Sequence, residues 1–518
     1  MTTISRRAVL KASAWSAAAA YMARVGIIDS ASAQPAPKPG GGLVYAVTSP
    51  NNRLGDATNG LHPHNWIDLA NRTCYNALVW VDENLELQPE LATSWEADDG
   101  QEVWEVDLRE GVEFHDGSEM TSKDVVSSFE FHRTETSFAR QIASVEAIGN
   151  HKVRFRLTEG NSEFPYILAE YHCMIMPAAE PDKIGLSGIG TGPFKPVGFD
   201  PRRSIKMVAN ERYWRTGHPY LETLEVVNRG GQMEGAVNGF LSGQFDAVTN
   251  IDPGFVRQFQ GRDDTSIVYA SGGDQALMIL PKYDGSPFND KRVRQAIAAA
   301  IDRDRIARIV YGSDGGWVGN DTPLASSDPN FLAYPYKYDT ERARALLAEA
   351  GYPDGITLPT FYFAPYWPEI PRIFQVMSEM LREAGITMPI EERPNDGYRQ
   401  WRVEDAEGTR KHRFAYGPVG IRNPGISLYR MRPDNNESGY WSGESAERYM
   451  ELYAKALVTG DPSARREIYH EMQEIAFEDA PAILPVGRRN ILIHKSNIAG
   501  LDNHPQAWSI RFDEVHRL

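Results

Sequence analysis

The chain has 518 residues, 42% of them hydrophobic, and carries 54 Lys and Arg against 70 Asp and Glu, a net charge of −16. That length holds about three domain-sized units or one large two-lobed body, and the apolar fraction supplies a core, which excludes bulk disorder. The acidic balance excludes nucleic acid as a partner, because phosphate binding needs clustered Lys and Arg.

The first residues read as a targeting segment. Ser5-Arg6-Arg7-Ala8-Val9-Leu10-Lys11 has the form of a twin-arginine export signal. A mildly apolar stretch runs from Ala12 to Ile28, and Ala31-Ser32-Ala33 is an A-x-A cleavage site. Residues 1–33 are therefore expected to be removed. Their loss takes away four bases (Arg6, Arg7, Lys11, Arg24) and one acid (Asp29), moving the charge from −16 to −19. Residues 34–42 are Pro- and Gly-rich and read as a flexible leader. No later stretch reaches the roughly 18 apolar residues of a membrane span. No Cys follows the cleavage site to take a lipid. The expectation is a soluble periplasmic protein without a lipid anchor.

Leu43 to Val47 reads as the first strand. His62-Pro63-His64 lies in the loop after it and is read as a structural loop rather than a metal pair, so no metal or cofactor is expected. Asn71 to Val81 has a helical look. Cys74 and Cys173 are either a disulfide or two buried thiols. Asp98-Asp99-Gly100 signals a tight turn, since Gly accepts positive φ and Asp bonds its own backbone. Trp104, Val106 and Leu108 then alternate with Glu105 and Asp107, the period of a half-buried strand. Val112 and Phe114 continue the apolar face. Thr121-Ser122-Lys123-Asp124 has capping-box spacing, predicting a helix from Thr121 that buries Val125, Val126 and Phe129. Val153–Leu157, Ser204–Val208 and Leu224–Val227 read as strands, and Met233–Leu241 as a helix with Val237 and Leu241 four apart.

The second half alternates strand and helix. Gln275 to Leu280 is an apolar run ending at Pro281. Asn289 or Asp290 caps a helix with Val293, Ile297, Ala300 and Ile301 inward. Asp339 caps another, with Ala343, Leu346, Leu347 and Ala350 inward and Gly351 as its stop. Ile373, Met377, Met380 and Leu381 mark a third, stopped by Gly385. Ser463–Phe477 is a long amphipathic helix, and Ile483–Pro485 and Ile491–Ile493 are strands. Such alternation argues α/β layers. The basic run Arg410-Lys411-His412-Arg413 reads as a solvated loop. Enzymatic signatures are missing: H-E-x-x-H fails after His470-Glu471, and neither G-x-S-x-G, a P-loop nor C-x-x-C occurs.

The residues from Leu91 to Val126, LATSWEADDGQEVWEVDLREGVEFHDGSEMTSKDVV, resemble the signature of the extracytoplasmic solute-binding proteins of family 5, which serve ABC importers of dipeptides, oligopeptides and nickel. Further matches follow in order. They are Gly190-Thr191-Gly192-Pro193-Phe194, Asn210-Glu211-Arg212-Tyr213-Trp214, Pro287 to Ile297 (PFNDKRVRQAI), Tyr338 to Pro353 and Asp461 to Pro481. The resemblance covers nearly the whole mature chain. It implies an α/β, two-lobed periplasmic binding protein of type II, cluster C-like, with an extra N-terminal subdomain. Lobe I would comprise 43–63, 186–276 and 486–518, the subdomain 64–185, and lobe II 277–485, with Gln275 to Leu280 as the first crossover between lobes. A monomer would capture a small polar solute, peptide-like, opine-like or a glycoside, by hinge closure and deliver it to the permease subunits. It would perform no reaction. The alternative is a secreted hydrolase of peptides or glycosides.

Peptide-binding members anchor the ligand's amino group with an Asp in a DYPDP-like strand-loop. The matching segment here, Phe414 to Pro424, lacks it, and no acid occurs between Glu407 and Asp434. Simple di- and tripeptides are therefore expected to bind poorly. Arg422 and Asn423 would offer a cation and an amide to an acidic or polyhydroxylated ligand. Tyr362, Tyr366 and Trp367 follow a strand end, where α/β folds place ligands, and Trp367 is expected to stack on the solute. Asp274 and Gln275, beside the first crossover, complete the candidate set.

Overall fold

The computed structural model describes residues 37, 39–48, 72–136, 139–179, 187–200, 203–335, 337–403, 413–433, 443–506 and 509–518. The export signal, His62-Pro63-His64 and most of the 410–413 run lie outside them.

Two seven-stranded sheets form the main body. The first runs Thr265–Tyr269, Ile491–Lys495, Ala247–Thr249, Gly42–Val47, Thr223–Asn228, Ser204–Ala209, Phe194–Asp200. Gly42–Val47 pairs in parallel with both neighbours, and Tyr45, Ala46 and Val47 are all buried. A central parallel strand is covered on both faces, which is why the sequence alternates only weakly there. The second sheet runs Gly316–Val318, Val486–Arg488, Gln275–Ile279, Ala415–Val419, Phe361–Phe363, Ile390–Glu392, with Ala482–Ile483 also on Gln275–Ile279. Helices Lys291–Ala299, Thr340–Glu349 and Ile370–Glu383 pack into its core, the first two capped by Asp290 and Asp339 through backbone N–H groups. Gly351 and Gly385, at φ 93° and 84°, follow the second and third helices as expected.

A four-stranded antiparallel sheet, Ala92–Ala97, Val103–Leu108, Lys152–Leu157 and Ile142–Ala147, carries the signature stretch. Trp104, Val106 and Leu108 face its core, joined by Val112 and Phe114. Thr121 caps helix Ser122–Glu135, and both halves of the capping box with Asp124 are present.

Several local expectations change. Among the described residues of Asn71–Val81 only 72–74 are helical, and Val79–Val81 pairs with Leu87–Pro89 as a strand. The left-handed residue of the 98–101 turn is Gln101, φ 57°, while Asp98 Oδ1 accepts the N–H groups of Glu102 and Val103. Helix Met233–Leu241 turns Ala236, Val237 and Phe240 inward and leaves Leu241 exposed. Val126 is half-buried; Ser128 and His132 take the inward places beside Val125 and Phe129. Cys74 and Cys173 are free and buried, and burial pushes the Cys74 thiol up to about 12.

Two matched sequence motifs meet at His115. Its Nδ1 accepts the Gly190 N–H at 3.3 Å, which leaves Nε2 protonated toward the Gly192 carbonyl at 3.1 Å. The glycines are needed here, because a Cβ at Gly190 or Gly192 would run into the Cys74 backbone. A second ring proton would point at an N–H, and burial lowers the His115 pKa to about 4. A histidine whose folded pKa is depressed contributes fully above its unfolded value and loses that contribution as pH falls from about 6.5 toward 4. His115→Gln should therefore narrow the acid loss of stability. Wild type minus variant, from urea unfolding, is expected to fall by about 2–3 kcal/mol between pH 7 and pH 4; a difference independent of pH would refute the neutral assignment.

Candidate ligand-binding site

The chain passes from the first sheet to the second between Tyr269 and Gln275, and returns between Arg488 and Ile491. Backbone polar groups in such passages must find partners, and these two segments pair with each other. Ala270 N donates to Asn490 O (2.9 Å), Asn490 N to Gly272 O (3.2 Å) and Arg488 N to Asp274 O (2.8 Å). Gly273 sits so close to the returning segment that a Cβ would strike the Arg488 carbonyl.

This pairing gathers strand ends. Gln275 lies between Val419 and Gly487, and Phe361–Phe363 runs parallel to Ala415–Val419. The start of Gln275–Ile279 and the carboxyl ends of Val486–Arg488, Ala415–Val419 and Phe361–Phe363 thus share one end of the second sheet, the position where α/β folds present side chains to ligands. The residues carried there are Asp274 and Gln275, Arg488, Arg422 and Asn423, and Tyr366, Trp367 and Glu369.

Arg488 is 2% exposed, and its guanidinium lies 4.3 Å from the centre of the Trp367 ring. Glu369 reaches its Nε at 3.3 Å. Burial alone would lower the Arg488 pKa, but Glu369 and Asp274 more than offset it and the net direction is upward. Burial pushes both Asp274 and Glu369 up, with Arg488 opposing. Trp367 thus carries a protein cation on its face. Tyr366 packs against the rings of Tyr398 and Tyr416. Gln275 Nε2 donates to Leu324 O at 2.7 Å, while its Oε1, the Tyr416 hydroxyl, the Trp317 Nε1 and the Arg488 Nη1 are buried without a hydrogen-bond partner. Such orphaned atoms are rare in a settled core, and here they cluster.

Arg422 and Asn423 are buried and already engaged. Arg422 Nε lies 3.0 Å from Glu170 Oε1, and its Nη1 donates to the Ile421 carbonyl. Asn423 Nδ2 donates to Glu163 Oε2 at 2.5 Å, and Gly425 N donates to the same oxygen at 2.7 Å. Arg465 Nε adds an ion pair to Glu163 at 3.5 Å. The acids that segment 414–424 lacks are therefore supplied by Glu163 and Glu170, two and a half hundred residues earlier in sequence. Glu369 and Arg488 were missed by sequence reasoning; Glu369 belongs to the same FYFAPYWPEI stretch as Trp367, whereas Arg488 has no local signal. Among the described residues no group of His, Cys, Asp and Glu has the makings of a metal site.

The profile of the bacterial extracellular solute-binding proteins, family 5 (middle) matches residues 86–410. The glutathione-binding protein GsiB of Escherichia coli K12 is 23% identical over 461 residues, covering 83% of this chain and 86% of its own. Among solved structures, DppA from Helicobacter pylori in complex with the peptide STSA is similar with a TM-score of 0.75 and 23% identity, over 93% of this chain and 98% of DppA. AgaA from A. tumefaciens R10 in complex with agropinic acid also gives 0.75, at 21% identity over 92% and 99%. The α/β periplasmic-binding-protein fold is thereby shared.

Buried Glu163 yields a stability expectation. Glu163→Ala leaves the Gly425 N–H, the Asn423 amide and Arg465 without their acceptor, at a cost of about 2–5 kcal/mol. Glu163→Gln keeps an acceptor and should lose less. Urea unfolding of both variants measures this, and an unshifted midpoint for Glu163→Ala would show that the contact contributes nothing.

Proposed function

The chain belongs to the bacterial extracellular solute-binding proteins of family 5, non-catalytic substrate-binding proteins of ABC importers, and from that premise we propose that it takes a zwitterionic amino-acid-derived solute, peptide-like or opine-like, at the strand ends between its two crossing segments. The observation that carries this is the gathering of charged and orphaned polar groups there: Asp274, Gln275, Glu369, Tyr416 and Arg488. A neutral glycoside would leave the charges unanswered. The relatives support the same class, since GsiB is named for glutathione and the two solved structures hold a peptide and agropinic acid.

The solute closes the two lobes about the paired crossing segments by touching both, which is how a ligand shifts a hinge equilibrium. Trp367 seats Arg488, and Arg422 and Asn423 hold the segment that faces them. The closed monomer docks on the permease subunits. Delivery to the periplasm follows the twin-arginine route, and residues 1–33 are removed on export.

Native mass spectrometry of protein purified from its host should find a bound amino-acid conjugate. Added back to stripped protein, it should raise the melting temperature by several degrees and be recovered unchanged. Conversion of the compound would favour the hydrolase reading instead, and a bound neutral sugar would refute the zwitterion. The export route has its own test. Changing Arg6 and Arg7 to Lys should strand precursor in the cytoplasm, and normal export of that variant would remove the assignment.

A further inference from the structure

We propose that Asp274 is the anchor for the solute's ammonium group, on the first crossing segment rather than on the 414–424 segment. This rests on the reading of the strand ends as the solute site.

The argument is a comparison of carboxylates. Glu170 has the Arg422 guanidinium at 3.0 Å. Glu163 has Arg465, the Asn423 amide and the Gly425 N–H. Glu369 has Arg488 at 3.3 Å. Asp274 is half-buried among these groups, yet its carboxylate forms no hydrogen bond and no close ion pair with any described residue. Its charged neighbours act from farther off. Arg488 is the strongest of them, then Arg422, then Arg430.

The cation that acts on it most strongly, Arg488, is already committed elsewhere. Arg488 is pinned by the Trp367 face beneath and by Glu369 at Nε, and its backbone N–H is tied to the Asp274 carbonyl. The Asp274 backbone is itself held in the pairing, its carbonyl accepting the Arg488 N–H at 2.8 Å. A half-buried carboxylate held in place without a partner is completed by a compact cation with several donors. A primary ammonium meets that description, and a hydroxyl or amide does not replace its charge.

The test uses the full mature protein and two amine-bearing probes, glutathione and dialanine, each beside its N-acetyl derivative, with calorimetry as readout. Wild type should bind at least one free amine tenfold or more tightly than its N-acetyl form. Asp274→Asn, which keeps size and shape, should abolish that preference while the melting temperature stays within a degree or two. A wild type that binds the acetylated and free forms equally, or an Asp274→Asn variant that keeps the preference, overturns the anchor while leaving the solute site standing. Should Asp274→Asn fail to fold, Asp274→Ser takes its place in the same acetylation comparison, and a retained preference overturns the anchor. No binding of any of the four probes by wild type, with an unrelated compound found bound in protein from the host, overturns the amine-bearing class itself.

Discussion

The candidate site depends on one short antiparallel pairing. Ala270 to Asp274 and Arg488 to Asn490 are the two passages between the sheets, and three backbone hydrogen bonds tie them together. Separately, each passage would expose amides and carbonyls that need water or a side chain. Together they satisfy one another and fix a register. That register sets Asp274 opposite Arg488 and Gln275 between Val419 and Gly487. A slip of one residue would send each of these side chains to the other face. Gly273 is where the constraint shows in the sequence, because only the absence of a Cβ lets the two backbones come so close.

Charge is distributed on the same logic. Arg422 meets Glu170, Arg488 meets Glu369, and deeper in the second half Arg294 meets Asp479 at 2.5 Å and Arg303 meets Asp321 at 2.5 Å. Burying such pairs adds little net stability, since desolvation consumes most of the Coulomb gain, but breaking one partner away is costly. The pairs therefore act mainly on geometry. Three of the four join elements more than a hundred positions apart in the chain and punish arrangements that separate them. Glu163 and Glu170 do this for the 421–425 segment, so a stretch devoid of acids in its own sequence sits in an acidic setting.

The elements were legible where a period or a cap is local. The capping box at Thr121, the alternation of Trp104, Val106 and Leu108, and the Asp290 and Asp339 caps all depend on residues a few positions apart. Errors fell where tertiary packing decides. Val79–Val81 looked like the end of a helix, yet it becomes a strand because Leu87–Pro89 lies beside it. Leu241 follows Val237 by four, but the buried face of the helix runs through Met233, Ala236, Val237 and Phe240, and Leu241 falls past its edge.

Family and ligand were unequally legible, and the difference is physical. Residues that carry the resemblance build the frame: His115 bridges to Gly190 and Gly192, Asn210 donates its amide to the Gly192 carbonyl, and Arg294 donates to the Asp479 and Phe288 carbonyls. Each of these contacts is made by a residue of one of the matched motifs, so the frame is readable from short stretches of sequence. The candidate site draws Asp274, Glu369, Arg422 and Arg488 singly from different strand ends. None forms a motif with its sequence neighbours, and each acquires its role from a register set elsewhere. Trp367 illustrates the consequence. A strand-end aromatic in an α/β fold suggests a stacking surface for a ligand, and the surface is indeed used, but by Arg488 from a segment 121 positions later. An aromatic face that seats a guanidinium fixes a charge rather than a ring, so what Trp367 contributes is the place of the Arg488 cation beside Glu369.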